Sequence, residues 1–325
     1  MELLQPLKFK PIFLEKIWGG TKIRTHLKYD FGEMPNCGEA WMLSAVPGYE
    51  SVVSEGPLEG NTLSELVEIF MEDLVGEKVY EQFENNFPLL VKFIDASQWL
   101  SIQVHPDDTL AQERGFERGK TEMWYVLEAD ENAQLISGFS KEISKKEYVE
   151  RLQKKRLEEI LNFQKVKKGE VFFTPSGRIH AIGPGILLAE IQQSADLTYR
   201  IFDWDRVDSQ GNPRELHVEE ALDAIDFSIT EDARTPYTHH LNQTVPLVSS
   251  NYFTTGLLEL DSAVSKSYEY LDSFVIYVVT QGSLQIHFNE KQIDAAMGEV
   301  ILIPNALKTI DLYPTPTAKI LEVYV

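Results

Sequence analysis

The chain has 325 residues, 43% of them apolar, and a formal charge of −21. That length accommodates two or three domains with substantial cores, and the composition excludes disordered, collagen-like and coiled-coil chains. The acidic balance argues against nucleic acid or an anionic membrane as partner, but a cleft can still concentrate a few Lys and Arg side chains around an anionic small molecule.

The N-terminus has no long apolar stretch and no small-residue cleavage site, so it reads as mature protein. Runs such as Pro88–Ala96 and Val300–Ile303 are too short to span a bilayer. Cys37 is the one cysteine. It can form neither an intrachain disulfide nor a thiolate metal cluster, which fits a reducing, cytoplasmic setting and a structural thiol.

In chain order, Trp18-Gly19-Gly20 marks a bend after a first strand, and Gly38–Ser44 leads another. Residues 62–86 carry apolar side chains every three or four positions and predict helix, divided at Gly76. Pro88–Ala96, Leu100–His105 and Glu122–Glu128 read as strands. Residues 141–161 return to a helical period, with Lys and Glu on a solvated face. Strands are predicted at Val166–Thr174 and Gly185–Gln192, around a turn at Pro175–Gly177, and a short helix at 214–223. Asp232–Ser249, with two prolines, reads as a domain crossing. Beyond it come five strand-like segments, YFTTGLLEL, SFVIYVV, SLQIHFN, EVILIP and AKILEVYV. Neither a GxGxxG nor a P-loop is present.

An internal echo points to the fold. GEVFFTPSGRIH (Gly169–His180) and GEVILIPNALKT (Gly298–Thr309) share Gly-Glu-Val and a proline six residues after the glycine, and each follows a hydrophobic strand. The chain is therefore expected to be mainly β, with two cupin-like antiparallel β-barrel or jelly-roll domains and a helical insertion. Residues 1–240 would form the metal-binding domain and 241–325 the second. Where the first has His180 the second has Thr309, so the second is read as structural or as a partial lid.

Gln103 and His105 sit at i and i+2 of a strand and share one face. Glu122 offers a carboxylate on a separate strand, and His180 an imidazole after a sharp turn. Two imidazoles, a carboxylate and an amide oxygen suit zinc, with other divalent first-row ions also compatible. Asp107 and Asp108, beyond Pro106, are expected to stabilise the turn.

These landmarks closely resemble the type I mannose-6-phosphate isomerases, especially their short bacterial form. The likeness spans nearly the whole chain: KIWGG at Lys16–Gly20, GEAW at Gly38–Trp41, PLLVKFIDASQWLSIQVHPDD at Pro88–Asp108, GKTEMWYVLEA at Gly119–Ala129, PSGRIHAIGPG at Pro175–Gly185 and AEIQQSADLTYRIFDWDR at Ala189–Arg206. Gly169–His180 also resembles the second cupin motif. The resemblance implies one Zn²⁺ held by Gln103, His105, Glu122 and His180, and no metal in the C-terminal domain, where Ala306 and Thr309 depart from the motif. It implies interconversion of mannose 6-phosphate and fructose 6-phosphate by proton transfer between C1 and C2 through a cis-enediol. No nicotinamide or other organic cofactor is needed, since substrate and product share one oxidation level. By the same resemblance Arg200, Lys120 and Glu190 are expected to be catalytic, and Lys92, Lys120 and Arg200 to contact substrate. The partner is thus a phosphorylated hexose, with no obligate protein partner, nucleic acid or membrane. Trp18, Trp41, Trp99 and Trp124 read as core or pocket walls. The alternative of a different class is a non-enzymatic cupin that binds sugar or regulates.

Overall fold

A computed structural model of the chain describes residues 3–207 and 210–325. The chain separates into two compact units. One contains Trp41–Val91, Pro236–Val325 and the N-terminal segment up to Ile12; the other contains Phe13–Ala40 and Lys92–Thr235. The crossing at 235/236 falls inside the polar stretch 232–249. Residues 241–325 share their unit with the helices of residues 63–83, which the sequence had suggested as an elaboration of the metal-binding part. Among the described residues, no helix is long and apolar enough to cross a membrane.

The Lys92–Thr235 unit carries two antiparallel β-layers. One runs, in spatial order, Tyr199–Phe202, Ile102–Val104, His180–Ile182, Gln134–Phe139, Leu161–Lys165. The other runs Ile12–Leu14, Glu39–Leu43, Leu89–Ala96, Ile186–Gln193, Glu122–Ala129, Val171–Thr174. The outer face of the first layer is closed by Ile102, Val104, Ile136 and Ala181, which pack with Tyr148 of the helix Lys145–Gln153. Between the layers lie Ile94, Trp124, Val126, Ile182 and Leu188. Cys37 is fully buried, and burial pushes its thiol up to about 11, which keeps it protonated and inert at neutral pH.

The helical period over 141–161 breaks in the structure. Lys155 takes φ +52°, a 3₁₀ turn follows at Leu157–Ile160, and Leu161 opens a strand. Of the strand expected over 166–174 only Val171–Thr174 forms, after a separate strand that ends at Lys165. Gln134–Phe139, His180–Ile182 and Tyr199–Phe202 are strands that periodicity did not reveal, because three- to six-residue strands are defined by their pairing partners more than by their own pattern.

In the other unit an antiparallel sheet runs Leu7–Lys8, Val300–Ile303, Val275–Phe288, Thr309–Tyr324, Thr254–Leu260, Thr244–Ser249, with Val264–Ser267 and Lys291–Ala296 attached. SFVIYVV and SLQIHFN are one strand, Val275–Phe288, whose register against Thr309–Tyr324 shifts at Val279/Gln281 and Gly282/Leu284. Pro246 sits in the edge strand Thr244–Ser249, where a missing N–H is tolerated.

The Gly-Glu-Val echo is a real structural repeat. Gly169 and Gly298 adopt φ +84° and +94°. Their N–H groups donate to Val126 and Val279, each at 2.8 Å, and those valines donate back to Glu170 at 3.0 Å and Glu299 at 2.9 Å. Each glutamate also closes its own turn, accepting from Lys167 N at 2.8 Å and Ala296 N at 2.7 Å. The echo loses phase after the proline. His180 is buried and pairs with Gln103, whereas Thr309 is exposed and its buried neighbour Ile310 pairs with Lys266.

The helix Leu63–Val75 begins with a capping box in which Thr62 Oγ1 accepts from Glu65 N at 3.2 Å and Glu65 Oε2 from Thr62 N at 2.7 Å. Gly76 ends it at φ +98°, and a Cβ there would stand 2.7 Å from the Asp272 carbonyl. Gly76→Ala should therefore destabilise the chain by more than about 1 kcal/mol, measured by urea unfolding; an unchanged midpoint would contradict this packing.

Candidate metal centre

Strand register assembles the site. In the first layer Gln103 lies between Arg200 and His180, and His180 lies next to Ser137, so all four project from one face. In the facing layer Glu122 lies between Gln192 and Thr174, and Trp124 opposite Glu190. His105 stands just past the end of Ile102–Val104. The Gly177 N–H donates to its carbonyl at 2.8 Å, tying it to the turn that delivers His180.

Donor atoms of His105, Glu122 and His180 lie within 4.8 Å of one another, and all three residues are buried. His105 Nε2 is 3.5 Å from Glu122 Oε2, and His180 Nε2 is 3.4 Å from Oε1. Each imidazole donates from Nδ1 to a backbone carbonyl at 2.8 Å, His105 to Leu197 and His180 to Arg178. Those bonds fix the tautomer and leave an Nε2 lone pair aimed at the carboxylate. Burial lowers both imidazoles, that of His180 to about 4 and that of His105 well below the ordinary value, with Lys120 adding to the effect, so both are neutral. Glu122 Oε1 has no hydrogen-bond donor, and Oε2 meets only the Lys120 ammonium, at 2.7 Å. Burial, reinforced by Glu190 and opposed by Lys120, raises its carboxyl to about 7. Lone pairs facing a buried carboxylate form a donor set that a divalent cation satisfies.

Gln103 completes the set. Its Nε2 is 3.2 Å from His180 Nε2, while Oε1 accepts from Ser101 Oγ at 3.2 Å. A half-turn of the amide exchanges the two atoms and presents oxygen to the same centre. The residues therefore fit one nitrogen- and oxygen-ligated ion of the zinc type.

The other expected residues gather around this centre. Lys120 Nζ lies 2.7 Å from Glu122 Oε2, 3.1 Å from His105 Nε2 and 3.8 Å from Glu190 Oε1. Lys92 pairs with Glu190 at 2.9 Å, and Trp124 Nε1 donates to Glu190 Oε2 at 2.7 Å. Although burial opposes it, Lys92 with Lys120 and Trp124 holds the Glu190 carboxyl down at about 2. Glu190 thereby also keeps the deeply buried Lys92 an ammonium against the cost of burial. Arg200 is half-buried; its Nη1 donates to Glu215 O at 2.8 Å, and its buried Nε has no partner among the described residues.

All eight expected residues but His105 and Glu122 line one cavity of about 300 Å³, and those two close its base. That volume lies at the small end of ligand pockets. Trp18 and Trp124 are walls, as expected. Trp41 and Trp99 are core residues, also as expected: the buried Trp41 packs on Tyr49 at 5.1 Å, and Trp99 on Trp204 at 5.4 Å.

Sequence reasoning missed Lys16, Glu39, Asp196 and Arg214, which also line the cavity. It also missed two supports beneath it. Gln192 Nε2 donates to the carbonyls of Gln193 and Ala195, shaping the loop whose Leu197 carbonyl orients His105. Gln193 accepts from Thr121 N at 2.8 Å and donates to Asp108 Oδ1 at 3.0 Å, beside Lys120. The quoted segment AEIQQSADLTYR contained three of these residues, but no periodicity separates a supporting glutamine from a surface one. Asp107 caps the helix Asp108–Glu113 and Asp108 accepts from Gly119 N at 2.7 Å, so both stabilise the turn.

Removing one partner of a buried ion pair strands the other. Lys92→Met should therefore cost roughly 3–5 kcal/mol of stability, read by denaturant unfolding; a loss of under about 1 kcal/mol would show that Glu190 is held by other contacts.

The profile of the type I phosphomannose isomerase catalytic domain matches residues 6–133. The mannose-6-phosphate isomerase of Streptococcus mutans is 37% identical over 307 residues, covering 92% of this chain and 94% of the relative. That of Bacillus subtilis is 36% identical over 311 residues, covering 93% and 94%. The crystal structure of the mannose 6-phosphate isomerase from Bacillus subtilis aligns with a TM-score of 0.88 at 33% identity, over 98% of this chain and 99% of that one. A zinc-bound mannose 6-phosphate isomerase shares the fold at a TM-score of 0.79 and 16% identity, over 98% and 99%. With relatives above one-third identity along nearly its whole length, the chain belongs to the type I mannose-6-phosphate isomerase family.

Proposed function

We propose that the protein interconverts mannose 6-phosphate and fructose 6-phosphate with one Zn²⁺ held by Gln103, His105, Glu122 and His180. The observation that carries this reading is the buried donor set, two neutral imidazoles facing one carboxylate, beside a cavity lined by Lys92, Lys120 and Arg200.

A zinc ion held by Gln103, His105, Glu122 and His180 would supply Lewis acidity toward negative charge developing on the sugar's oxygens. The remaining chemistry belongs to the side chains. Isomerisation of the open-chain aldose removes the proton from C2, protonates O1 to give a cis-enediol, and returns a proton to C1 as O2 becomes the ketone. Arg200 presents an unpaired Nε to the cavity and can hold the oxygens on which charge develops, with no reorganisation at the moment of reaction. Lys120 stands among Glu122, His105 and Glu190 and places an ammonium beside the same oxygens. Glu190 pairs with Lys92 at 2.9 Å and lies 3.8 Å from Lys120, and it orients both ammonium groups. The cationic side chains also favour a phosphorylated sugar over its neutral parent. The single buried thiol accords with a reducing, cytoplasmic setting.

Stripping the metal should abolish conversion of mannose 6-phosphate, and adding one equivalent of zinc should restore it; a folded, zinc-loaded protein that forms no fructose 6-phosphate would refute the proposal. His105→Ala should lose bound zinc and turnover together. Arg200→Ala should keep its zinc but lose roughly 10²–10³ in kcat with a smaller change in KM; the reverse split would make Arg200 a ground-state binding residue.

A further inference from the structure

The structural repeat allows the second unit to be compared with the metal centre position by position. Pairing of Val275–Val278 with Val300–Ile303 mirrors that of Glu122–Tyr125 with Val171–Thr174, so Val275 stands at the position of Glu122 and Tyr277 at that of Trp124. Tyr277 is paired with Glu322 as Trp124 is with Glu190. Ile310 pairs with Lys266 as His180 does with Gln103, which puts Tyr268, two residues on, at the place of His105. All four metal-ligand positions have thus changed chemistry, while the buried carboxylate remains.

The replacement is coherent. Lys266 Nζ lies 2.9 Å from Glu322 Oε1 and 3.0 Å from Oε2, and donates to Thr244 Oγ1 at 2.8 Å. Tyr268 hydrogen-bonds Glu322 and Tyr277, and Thr244 Oγ1 donates to Glu322 at 2.6 Å. An ammonium therefore supplies the positive charge that this buried carboxylate requires. A unit used only as scaffold would be expected to fill this end of its sheet. Instead a cavity of about 350 Å³ opens beside the cluster, lined by Thr254, Lys266, Tyr268, Glu322 and Tyr324 among others. No other charged side chain lines it, and Lys266 and Glu322 neutralise one another.

We propose that this cavity is a second, metal-independent binding site for a small neutral polyol, an unphosphorylated hexose in particular. Hydroxyls of Thr254 and Tyr324 offer donors and acceptors, the tyrosine rings offer faces for a carbon skeleton, and the absence of net charge disfavours a phosphate dianion. The sequence reading of this unit as structural or as a partial lid is thereby extended.

The test is calorimetric titration and saturation-transfer NMR of the zinc-loaded protein with D-mannose, D-fructose and sorbitol, with mannose 6-phosphate present in excess to occupy the catalytic cavity. The expected result is saturable binding of at least one neutral probe, weakened tenfold or more by Tyr324→Ala and by Thr254→Trp, which fills the cavity, while both variants keep wild-type isomerase turnover. Because turnover is measured separately, failure here and failure of the isomerase assignment are distinguishable. No saturable binding of any probe up to about 10 mM would overturn the proposal, as would binding unaffected by both substitutions. A second equivalent of mannose 6-phosphate, abolished by Tyr324→Ala, would overturn the neutral ligand class.

Discussion

Glu122 is fully buried, and no hydrogen-bond donor other than the Lys120 ammonium reaches its oxygens. A charge in that position costs several kcal/mol unless a cation meets it. Lys120 is the cation at hand, 2.7 Å from one oxygen, yet the imidazoles of His105 and His180 turn lone pairs toward the same carboxylate. The centre is thus built around a positive charge greater than one ammonium provides. The arrangement around it follows from this requirement: the carbonyls of Leu197 and Arg178 that set the tautomers, the Lys92–Glu190 pair that keeps a second ammonium at the wall, and the glutamine clamp below.

The second unit keeps one part of this arrangement and drops the other. Its buried carboxylate, Glu322, stands at the position of Glu190 and is met by an ammonium, Lys266, as Glu190 is met by Lys92. Val275 and Ile310 take the places of Glu122 and His180, so no further charge needs compensation. One sheet framework therefore carries the buried ion pair with or without a metal centre beside it, depending on a handful of side chains. Fold alone does not fix function for this reason.

The candidate metal-site residues were legible in the sequence through local rules and the family resemblance together. Period-two geometry puts Gln103 and His105 on one face, and the Gly-Pro framework sets His180 after a turn. The Gly-Glu-Val repeat was legible for the same reason, since its glycines occupy positive-φ turns that other residues resist. The phase change that exposes Thr309 was not, because one residue of slip in a strand leaves no trace in composition and reverses every side chain. Nor were Asp196 and Arg214, which stand outside regular strands, or the carbonyls of Leu197 and Arg178, which are backbone atoms that any residue supplies. The discontinuous make-up of the units was hidden too. The helices Leu63–Val75 and Glu77–Phe83 precede the metal-site strands in the chain but belong with Pro236–Val325, an association made by packing over long sequence separations.

The central claim is that these four side chains, and no thiolate, hold the ion. Zinc-edge X-ray absorption on the protein loaded with one equivalent tests it directly. The expected spectrum has a first shell of nitrogen and oxygen alone at about 2.0–2.2 Å, with the outer scattering of two imidazoles. A sulfur shell at about 2.3 Å, or a spectrum without imidazole scattering, would contradict it.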